Sequence, residues 1–171
     1  PEAQACVLGA GGSALAVCAY LAHEKHGDAV PARIQMDNRS VGRLAEAVHL
    51  LGNSRVQMSF NLCPVPEWND RIVESLPEGS LIINATGMGK DRPGSPVTDR
   101  CRFPKNSVIW EFNYRGSLEF MHQAEAQQGA SGLRIENGWT YFIHGWTQVI
   151  AEVFHIDISG DRLAMCDQLA R

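Results

Sequence analysis

Short apolar runs alternate with amphipathic stretches along almost the whole chain. The run Ala5–Leu8 is apolar throughout and is followed by glycine, which is typical of a strand buried on both faces of a parallel sheet. Residues 13–24 are rich in Ala and Leu and predict a helix. Further strands are predicted over 33–36, 55–58, 80–84, 107–111 and 133–136, and further helices over 41–51, 67–76, 117–128, 139–153 and 161–169. Strands that alternate with helices predict an α/β domain, with a doubly wound parallel sheet of about six strands and helices on both faces.

Residues 85–104 interrupt this alternation. The segment contains three glycines and three prolines and shows neither the helical nor the strand period. A loop of this length inside a compact domain usually has a function. We therefore expect one domain over residues 1–171 with a functional loop after its fourth strand.

A glycine-rich loop joins the first predicted strand to the first predicted helix. Backbone amides at such a helix N-terminus can approach a phosphate group closely. The spacing is GxGGxA rather than GxGxxG, and Ala14 is small enough for close packing of helix and strand. The context predicts a Rossmann-like domain in which the loop binds the pyrophosphate of a nicotinamide dinucleotide through Gly9, Ala10, Gly11, Gly12 and Ser13. The alternative is that the glycines only form a tight turn.

The end of the second predicted strand indicates which dinucleotide is bound. An acidic residue there would accept a hydrogen bond from a free ribose 2'-hydroxyl, whereas cations and donors suit a 2'-phosphate. The chain offers Asn38, Arg39, Ser40 and Arg43, which favours NADP. NAD stays open, because Asp37 could serve the 2'-hydroxyl in a different register. Ser40 could also simply cap the next helix, with the arginines in solvent.

Composition and charge exclude several classes of partner. The net charge is -4 and the basic residues are scattered, so neither a nucleic-acid nor a membrane surface is expected, and a small-molecule ligand is favoured. No apolar stretch approaches the roughly 20 residues that span a bilayer. The five cysteines form no CxxC pair, which indicates a reducing, cytoplasmic compartment. His23 and His26 lack a third ligand, so no metal site is expected. Because the chain opens at Pro1, directly before a strand, we expect it to be part of a longer polypeptide.

The order and spacing of five motifs resemble the C-terminal cofactor domain of the shikimate/quinate dehydrogenases. The motifs are VLGAGGSA at 7–14, NRSVGR at 38–43, INATGMG at 83–89, WEFNY at 110–114 and Asn137-Gly138 before an aromatic helix. The resemblance implies that the NRSVGR segment binds the 2'-phosphate of NADP. It also places Asn84, Ala85 and Thr86 under the cofactor, Phe112 and Gly138 near the nicotinamide, and Tyr114 facing the substrate.

The chain departs from the family pattern at positions that concern the substrate. The family's catalytic Lys-Asp pair belongs to an N-terminal substrate domain, which we expect to lie outside this chain, so no catalytic residue is carried over. Glu111 stands where an aspartate is usual, and Gly145 where the family has a glutamine. His144 and Gln148 flank Gly145 and are candidate substitutes, although a histidine beside an apolar helix face is more often structural.

These observations favour one function and leave others open. The leading hypothesis is the cofactor-binding part of an oxidoreductase of aromatic amino acid biosynthesis, which transfers a hydride between NADP and a cyclic hydroxy acid such as shikimate or quinate. The substrate would be held through the missing N-terminal domain, and this chain alone would not turn over. The alternative is a non-catalytic NAD(P)-binding regulatory module. The apolar face of the helix over 139–153 is expected to meet the core, the missing domain or a second subunit in a homodimer.

Overall fold

A computed structural model describes residues 3–171 and shows one parallel sheet of six strands. The strands are β1 (Ala5–Leu8), β2 (Arg33–Asn38), β3 (Gln57–Leu62), β4 (Leu81–Asn84), β5 (Val108–Glu111) and β6 (Arg134–Glu136). The helices are α1 (Gly12–Leu21), α2 (Val41–Leu51), α3 (Pro66–Glu74), α4 (Glu119–Glu125), α5 (Gln128–Ser131), α6 (Trp139–Phe154) and α7 (Asp161–Ala170). The strand order is β3-β2-β1-β4-β5-β6 and every neighbouring pair is parallel. The predicted α/β class is confirmed. Pro1 and Glu2, where the predicted domain begins, lie outside the described residues.

The core has two apolar layers, one on each face of the sheet. Ala5 and Val7 of β1 pack in one layer, near α1 and α2. Cys6 and Leu8 pack in the other layer, together with Phe120 of α4. Alternate residues of a strand point to opposite faces, so a central strand between two helical layers is apolar at every position. This explains the uninterrupted apolar run that identifies β1.

Three elements differ from the sequence prediction. The third strand was predicted at 55–58 but is observed at Gln57–Leu62. It is an edge strand in which polar and apolar residues alternate, so the apolar pattern did not mark its ends. The first helix ends at Leu21 and is followed by a 3-10 turn, Glu24–His26, capped by His23. The helix predicted over 117–128 is observed only over Glu119–Glu125, and a separate short helix, α5, begins at Gln128. Residues 85–104 contain no helix or strand, as predicted.

No helix within residues 3–171 has the length and apolar character needed to cross a bilayer.

Candidate dinucleotide site

The candidate site lies at the carboxyl edge of the sheet. β1 is central there, and the chain runs to β2 on one side of it and to β4 on the other. Loops leave this switch point in opposite directions, and the crevice between them is where open α/β sheets bind ligands. The glycine loop between β1 and α1 lies in this crevice.

The glycines of this loop have two different structural causes. Gly9 has a φ of 114°, and a Cβ atom there would lie 2.7 Å from the carbonyl oxygen of Ala85. Internal packing against the chain after β4 therefore requires glycine at position 9. At Gly11 and Gly12, by contrast, an added Cβ would meet nothing within 4 Å. The hypothesis of a tight turn accounts for Gly9 but not for Gly11 and Gly12.

The open space beside Gly11 and Gly12 fits a phosphate group. α1 begins at Gly12, and no side chain caps its N-terminus. The first amides of a helix have no partner within the helix, and the helix dipole makes this end positive. Gly11 and Gly12 both line an open cavity at this end of the helix. The residues present therefore suit the pyrophosphate of a dinucleotide.

One groove, which we call the β2 groove, extends from the glycine loop past the end of β2. Its volume is about 660 Å³. The glycine loop lines it together with the four residues predicted to bind the 2'-phosphate, which are Asn38, Arg39, Ser40 and Arg43. Pro64 and Val65, from the chain after β3, line its other side. The structure thus brings the loop and the NRSVGR segment to one cavity, although they are separated by the whole of α1 and β2.

Ser40 and the two arginines of the NRSVGR segment differ in the partners that they contact within the protein. Ser40 is the N-cap of α2, where its hydroxyl accepts a hydrogen bond from the Arg43 backbone amide at 3.4 Å. Arg43 forms an exposed ion pair with Glu46, with 3.3 Å between Nη1 and Oε2. Arg39 is exposed, and no acidic residue within 3–171 lies in ion-pair contact with it. Ser40 therefore caps α2, and Arg39 and Arg43 both line the β2 groove.

Asp37 lies at the floor of the β2 groove but is nearly inaccessible to solvent. The residue is 2% exposed, and its carboxyl accepts hydrogen bonds from Asn61 Nδ2 at 2.7 Å and from the Cys6 thiol at 3.3 Å. Burial raises the pKa of Asp37 to about 6, although these two donors lower it in part. Both carboxyl oxygens are thus occupied within the sheet. This arrangement weakens the case for Asp37 as the ligand of a ribose 2'-hydroxyl.

A second groove, the β5 groove, lies on the other side of the glycine loop and has a volume of about 700 Å³. It shares Gly11 and the segment 85–87 with the β2 groove. Five aromatic residues line it, together with the charged Lys90; they are Phe112, Tyr114, Tyr141, Phe142 and Trp146. A dinucleotide that crosses the glycine loop would therefore place one half in each groove.

Stacked aromatic pairs form the wall of the β5 groove. The rings of Phe112 and Tyr141 stack with centroids 4.4 Å apart, and those of Tyr114 and Phe142 with centroids 3.9 Å apart. Tyr114, predicted to face the substrate, therefore lines the groove and packs against α6 at the same time. Gly138 does not line the groove: it is buried behind Phe112, and a Cβ there would lie 2.0 Å from the Phe112 carbonyl oxygen. Position 138 therefore requires a glycine, because a larger residue would not allow the close contact between the start of α6 and the end of β5.

A buried polar network joins the ends of β4 and β5 beneath the segment shared by the grooves. Asn84 Nδ2 donates to Glu111 Oε2 at 2.7 Å, and the Thr86 hydroxyl donates to Asn84 Oδ1 at 2.6 Å. The Asn113 backbone amide donates to Glu111 Oε1 at 2.8 Å, while its side chain holds the carbonyl of Met88. Burial raises the pKa of Glu111 from its ordinary value of 4.5 to about 7, against the lowering effect of these donors. Asn84 thus lies under the site and orients Thr86 rather than lining a groove itself.

Residues near position 145, where the family has a substrate-binding glutamine, point to different sides of helix α6. Gly145 and Val149 line the β5 groove. His144 and Gln148 are exposed, lie outside its lining, and Gln148 bonds to Glu152 at 3.0 Å. Neither takes the place of a glutamine at position 145 in this structure. The sequence analysis assigned no role to Asn61, Asn113 or Lys90, although Asn113 lies within the WEFNY motif. A correct register for β3 would have placed Asn61 beside Asp37.

The strand order, the glycine loop at the switch point and the grooves on its two sides define a Rossmann-type α/β domain.

Comparison with known proteins gives the relationship of this domain. No protein-family profile matches the chain. It is 32% identical over 121 residues to the shikimate dehydrogenase (NADP(+)) of Caulobacter vibrioides, an alignment that covers 70% of this chain and 38% of that protein. It is 32% identical over 142 residues to the shikimate dehydrogenase (NADP(+)) of Symbiobacterium thermophilum, covering 82% and 45%. The chain is therefore a relative of the shikimate dehydrogenases, as the motifs indicated, and it spans less than half the length of these curated relatives.

Solved structures agree on the fold. The shikimate 5-dehydrogenase of Listeria monocytogenes, determined with shikimate and NAD, superimposes with a TM-score of 0.69 at 13% identity, over 99% of this chain and 56% of that one. The ligand-free 5-ketofructose reductase of a Gluconobacter strain gives 0.65 at 19% identity, over 99% and 57%. At these identities the likeness concerns the fold alone.

Proposed function

We propose that this chain binds NADP(H) and forms the cofactor-binding part of an oxidoreductase that transfers a hydride to or from a cyclic hydroxy acid such as shikimate or quinate. The curated relatives, both named NADP(+) enzymes, support the reaction class. The observation that carries the cofactor assignment is the β2 groove, where Arg39 and Arg43 lie beside the glycine loop while Asp37 is sequestered.

The charges in the β2 groove favour a 2'-phosphate over a hydroxyl. The ion pair between Arg43 and Glu46 has side chains 62% and 52% exposed, and pairs this exposed contribute little to stability. Arg43 can therefore exchange Glu46 for a phosphate at small cost. Helix α2 begins at Val41, directly after Ser40, so the positive end of its dipole lies beside these residues. Its first turn contains no acidic residue. Arginine and the helix N-terminus together provide the donors that bind phosphate tightly.

The β5 groove would hold the nicotinamide half, with Ala85 and Thr86 beneath it and Phe112 and Tyr114 at its wall. Bound there, the cofactor supplies the hydride, and the aromatic wall limits access of water to it. We assign the general acid or base, and most contacts with the hydroxy acid, to residues outside this chain; the greater length of the relatives supports this division. A cytoplasmic location is part of the proposal and is supported by the free thiols of Cys6, Cys18, Cys63, Cys101 and Cys166.

The cofactor assignment is tested by Arg39→Ala. Titration of the chain with NADPH and NADH, followed by nucleotide fluorescence, gives both dissociation constants. Loss of one charge-assisted contact should weaken NADPH binding by roughly tenfold to hundredfold. NADH binding should change by less than about twofold, because NADH lacks the phosphate. Arg134→Ala, at β6 on the opposite edge of the sheet, is the matched control. Equal weakening of both nucleotides would disprove the 2'-phosphate assignment.

A non-catalytic regulatory module is the second candidate, favoured by Gly145. This residue lines the β5 groove without a side chain that could bind a substrate hydroxyl. Turnover assays on the polypeptide that contains this chain, with shikimate, quinate and their aminated analogues, separate the two. Turnover of any of them with NADP+ supports the enzyme. Tight NADP+ binding with no turnover of these acids supports the regulatory module.

A further inference from the structure

Asp37 lies at the floor of the β2 groove, and Asn61 of the neighbouring strand β3 lies beside it. The parallel register of β2 and β3 pairs these two residues directly. Asn61 Nδ2 donates to Asp37 Oδ1 at 2.7 Å, and the Cys6 thiol donates to Oδ2 at 3.3 Å. Asp37 is 2% exposed, although it lines the same groove as Arg39 and Arg43. One donor on each oxygen thus holds the carboxyl within the sheet.

A carboxylate in this region would influence the choice between the two dinucleotides. Directed at the ribose, it would accept a hydrogen bond from the 2'-hydroxyl of NADH. The same negative charge would repel the 2'-phosphate of NADPH. Whether Asp37 has this effect depends on its orientation, and the bond from Asn61 fixes that orientation.

We propose that Asn61 is a positioning residue for cofactor selectivity: by holding the Asp37 carboxylate in the sheet, it removes a group that would favour NADH and disfavour NADPH. The inference rests on the proposed binding of NADP(H). It concerns a residue that contacts Asp37 and lies outside the lining of the β2 groove.

The surroundings of Asn61 support this role. Asn61 is half-buried on edge strand β3, so its replacement leaves the central strands of the core intact. Removing its amide leaves Asp37 Oδ1 without a donor inside the sheet. A buried acceptor without a partner costs free energy, and rotation toward the groove would return that oxygen to water or to a ribose hydroxyl. The freed carboxylate would then act on the bound nucleotide.

The test is a double-mutant cycle on the chain, with Asn61→Ala, Asp37→Asn and the double variant. Dissociation constants for NADPH and NADH are measured at pH 8, where the Asp37 carboxyl, with a pKa of about 6, is ionised. We expect Asn61→Ala to lower the preference for NADPH by about tenfold, equivalent to about 1.4 kcal/mol. Asp37→Asn and the double variant should both keep the preference of the original chain, because neither contains the negative charge. Gln57→Ala, exposed at the opposite end of β3, is the control.

Two results would overturn the inference. An unchanged preference in Asn61→Ala would show that the amide does not control the carboxylate. An equal loss of preference in Asn61→Ala and in the double variant would show that Asn61 acts independently of Asp37. If Asn61 had only a structural role, its replacement would weaken the binding of NADPH and NADH equally, and the ratio of their dissociation constants would not change.

The design also protects against two other failures. If Asn61→Ala does not fold, Asn61→Ser removes the amide with a smaller change in polarity, and the same dependence on Asp37 is required of it. If the original chain shows no preference for NADPH, the proposed function fails. If the preference is present but none of these variants changes it, only the role of Asn61 fails.

Discussion

Glu111 gives the folded chain an electrostatic cost that depends on pH. Its side chain is fully buried at the end of β5, where Asn84 Nδ2 and the Asn113 amide donate to its two oxygens. Burial nevertheless raises its pKa from 4.5 to about 7, because two neutral donors replace only part of the hydration of a carboxylate. The folded chain therefore holds a proton on Glu111 in a pH range where the unfolded chain has released it.

The sign and the size of the effect follow from this difference in pKa. Between pH 4.5 and about 7 the folded state binds more protons than the unfolded state, so the free energy of unfolding falls as pH rises. The cost is absent below pH 4.5, where the group is protonated in both states. It reaches its full value above pH 7. At about 1.4 kcal/mol for each unit of pKa, it amounts to about 3 kcal/mol.

The variant Glu111→Gln isolates this contribution. Urea unfolding of both proteins between pH 4.5 and 8.5, at constant ionic strength, gives the difference in their free energies of unfolding at each pH. Glutamine offers one acceptor to two donors, which adds an offset that does not depend on pH. Relative to the original chain, the variant should gain about 3 kcal/mol between pH 4.5 and 8. Other titrating groups, including Asp37, cancel in the difference.

The control is Glu78→Gln, at an exposed position, where substitutions usually have small effects at any pH. A pH-independent difference between Glu111→Gln and the original chain would refute the reasoning. It would mean that the donors from Asn84 and Asn113 compensate fully for burial of the charge.

Two glycines provide further predictions that separate stability from binding. Gly138→Ala should lower the free energy of unfolding by about 3 kcal/mol or more, because the added methyl meets the backbone of Phe112 at 2.0 Å. Urea unfolding measures this, and Gly129→Ala, with open space around it, should not share the loss. Gly12→Ala should keep or raise stability, since alanine favours the helix, but should weaken NADPH and NADH equally by at least about tenfold as its methyl enters the phosphate cradle. Unchanged affinities in this variant would argue against the cradle.

The hydrophobic pattern was sufficient to predict the central strands but not the elements that depend on distant contacts. β1 and β4 are recognisable because both faces are covered. The edge strand β3 was displaced in the prediction, since alternating polar residues blur its boundaries. The start of α4 at Glu119, two residues later than predicted, depends on a tertiary contact. Leu118 adopts a left-handed φ of 49°, and its amide donates to the carbonyl of Gly89 at 3.1 Å, in a loop that no local pattern places there.

The same limit applies to the candidate site. The motifs predicted the glycine loop and the NRSVGR segment, and the structure brings both to the β2 groove. The partners of Asp37 could not be predicted, because Asn61 reaches it only through the register of β2 and β3. Likewise, the rotation of α6 about its axis decides that Gly145, rather than His144, lines the β5 groove. A sequence motif gives the order of residues, whereas side-chain contacts depend on register and rotation.

The buried carboxyl of Glu111 shows why a destabilising residue can be retained at such a site. An apolar residue in its place would remove the cost of about 3 kcal/mol. It would also leave Asn84 Nδ2 and the Asn113 amide without the acceptor that now joins the ends of β4 and β5. Asn84 in turn orients Thr86, which lies in the segment shared by both grooves. The Glu111 carboxyl therefore positions Thr86 through Asn84. Its burial lowers the stability of the fold, but it fixes the segment between the two grooves, where both halves of a dinucleotide would make contact.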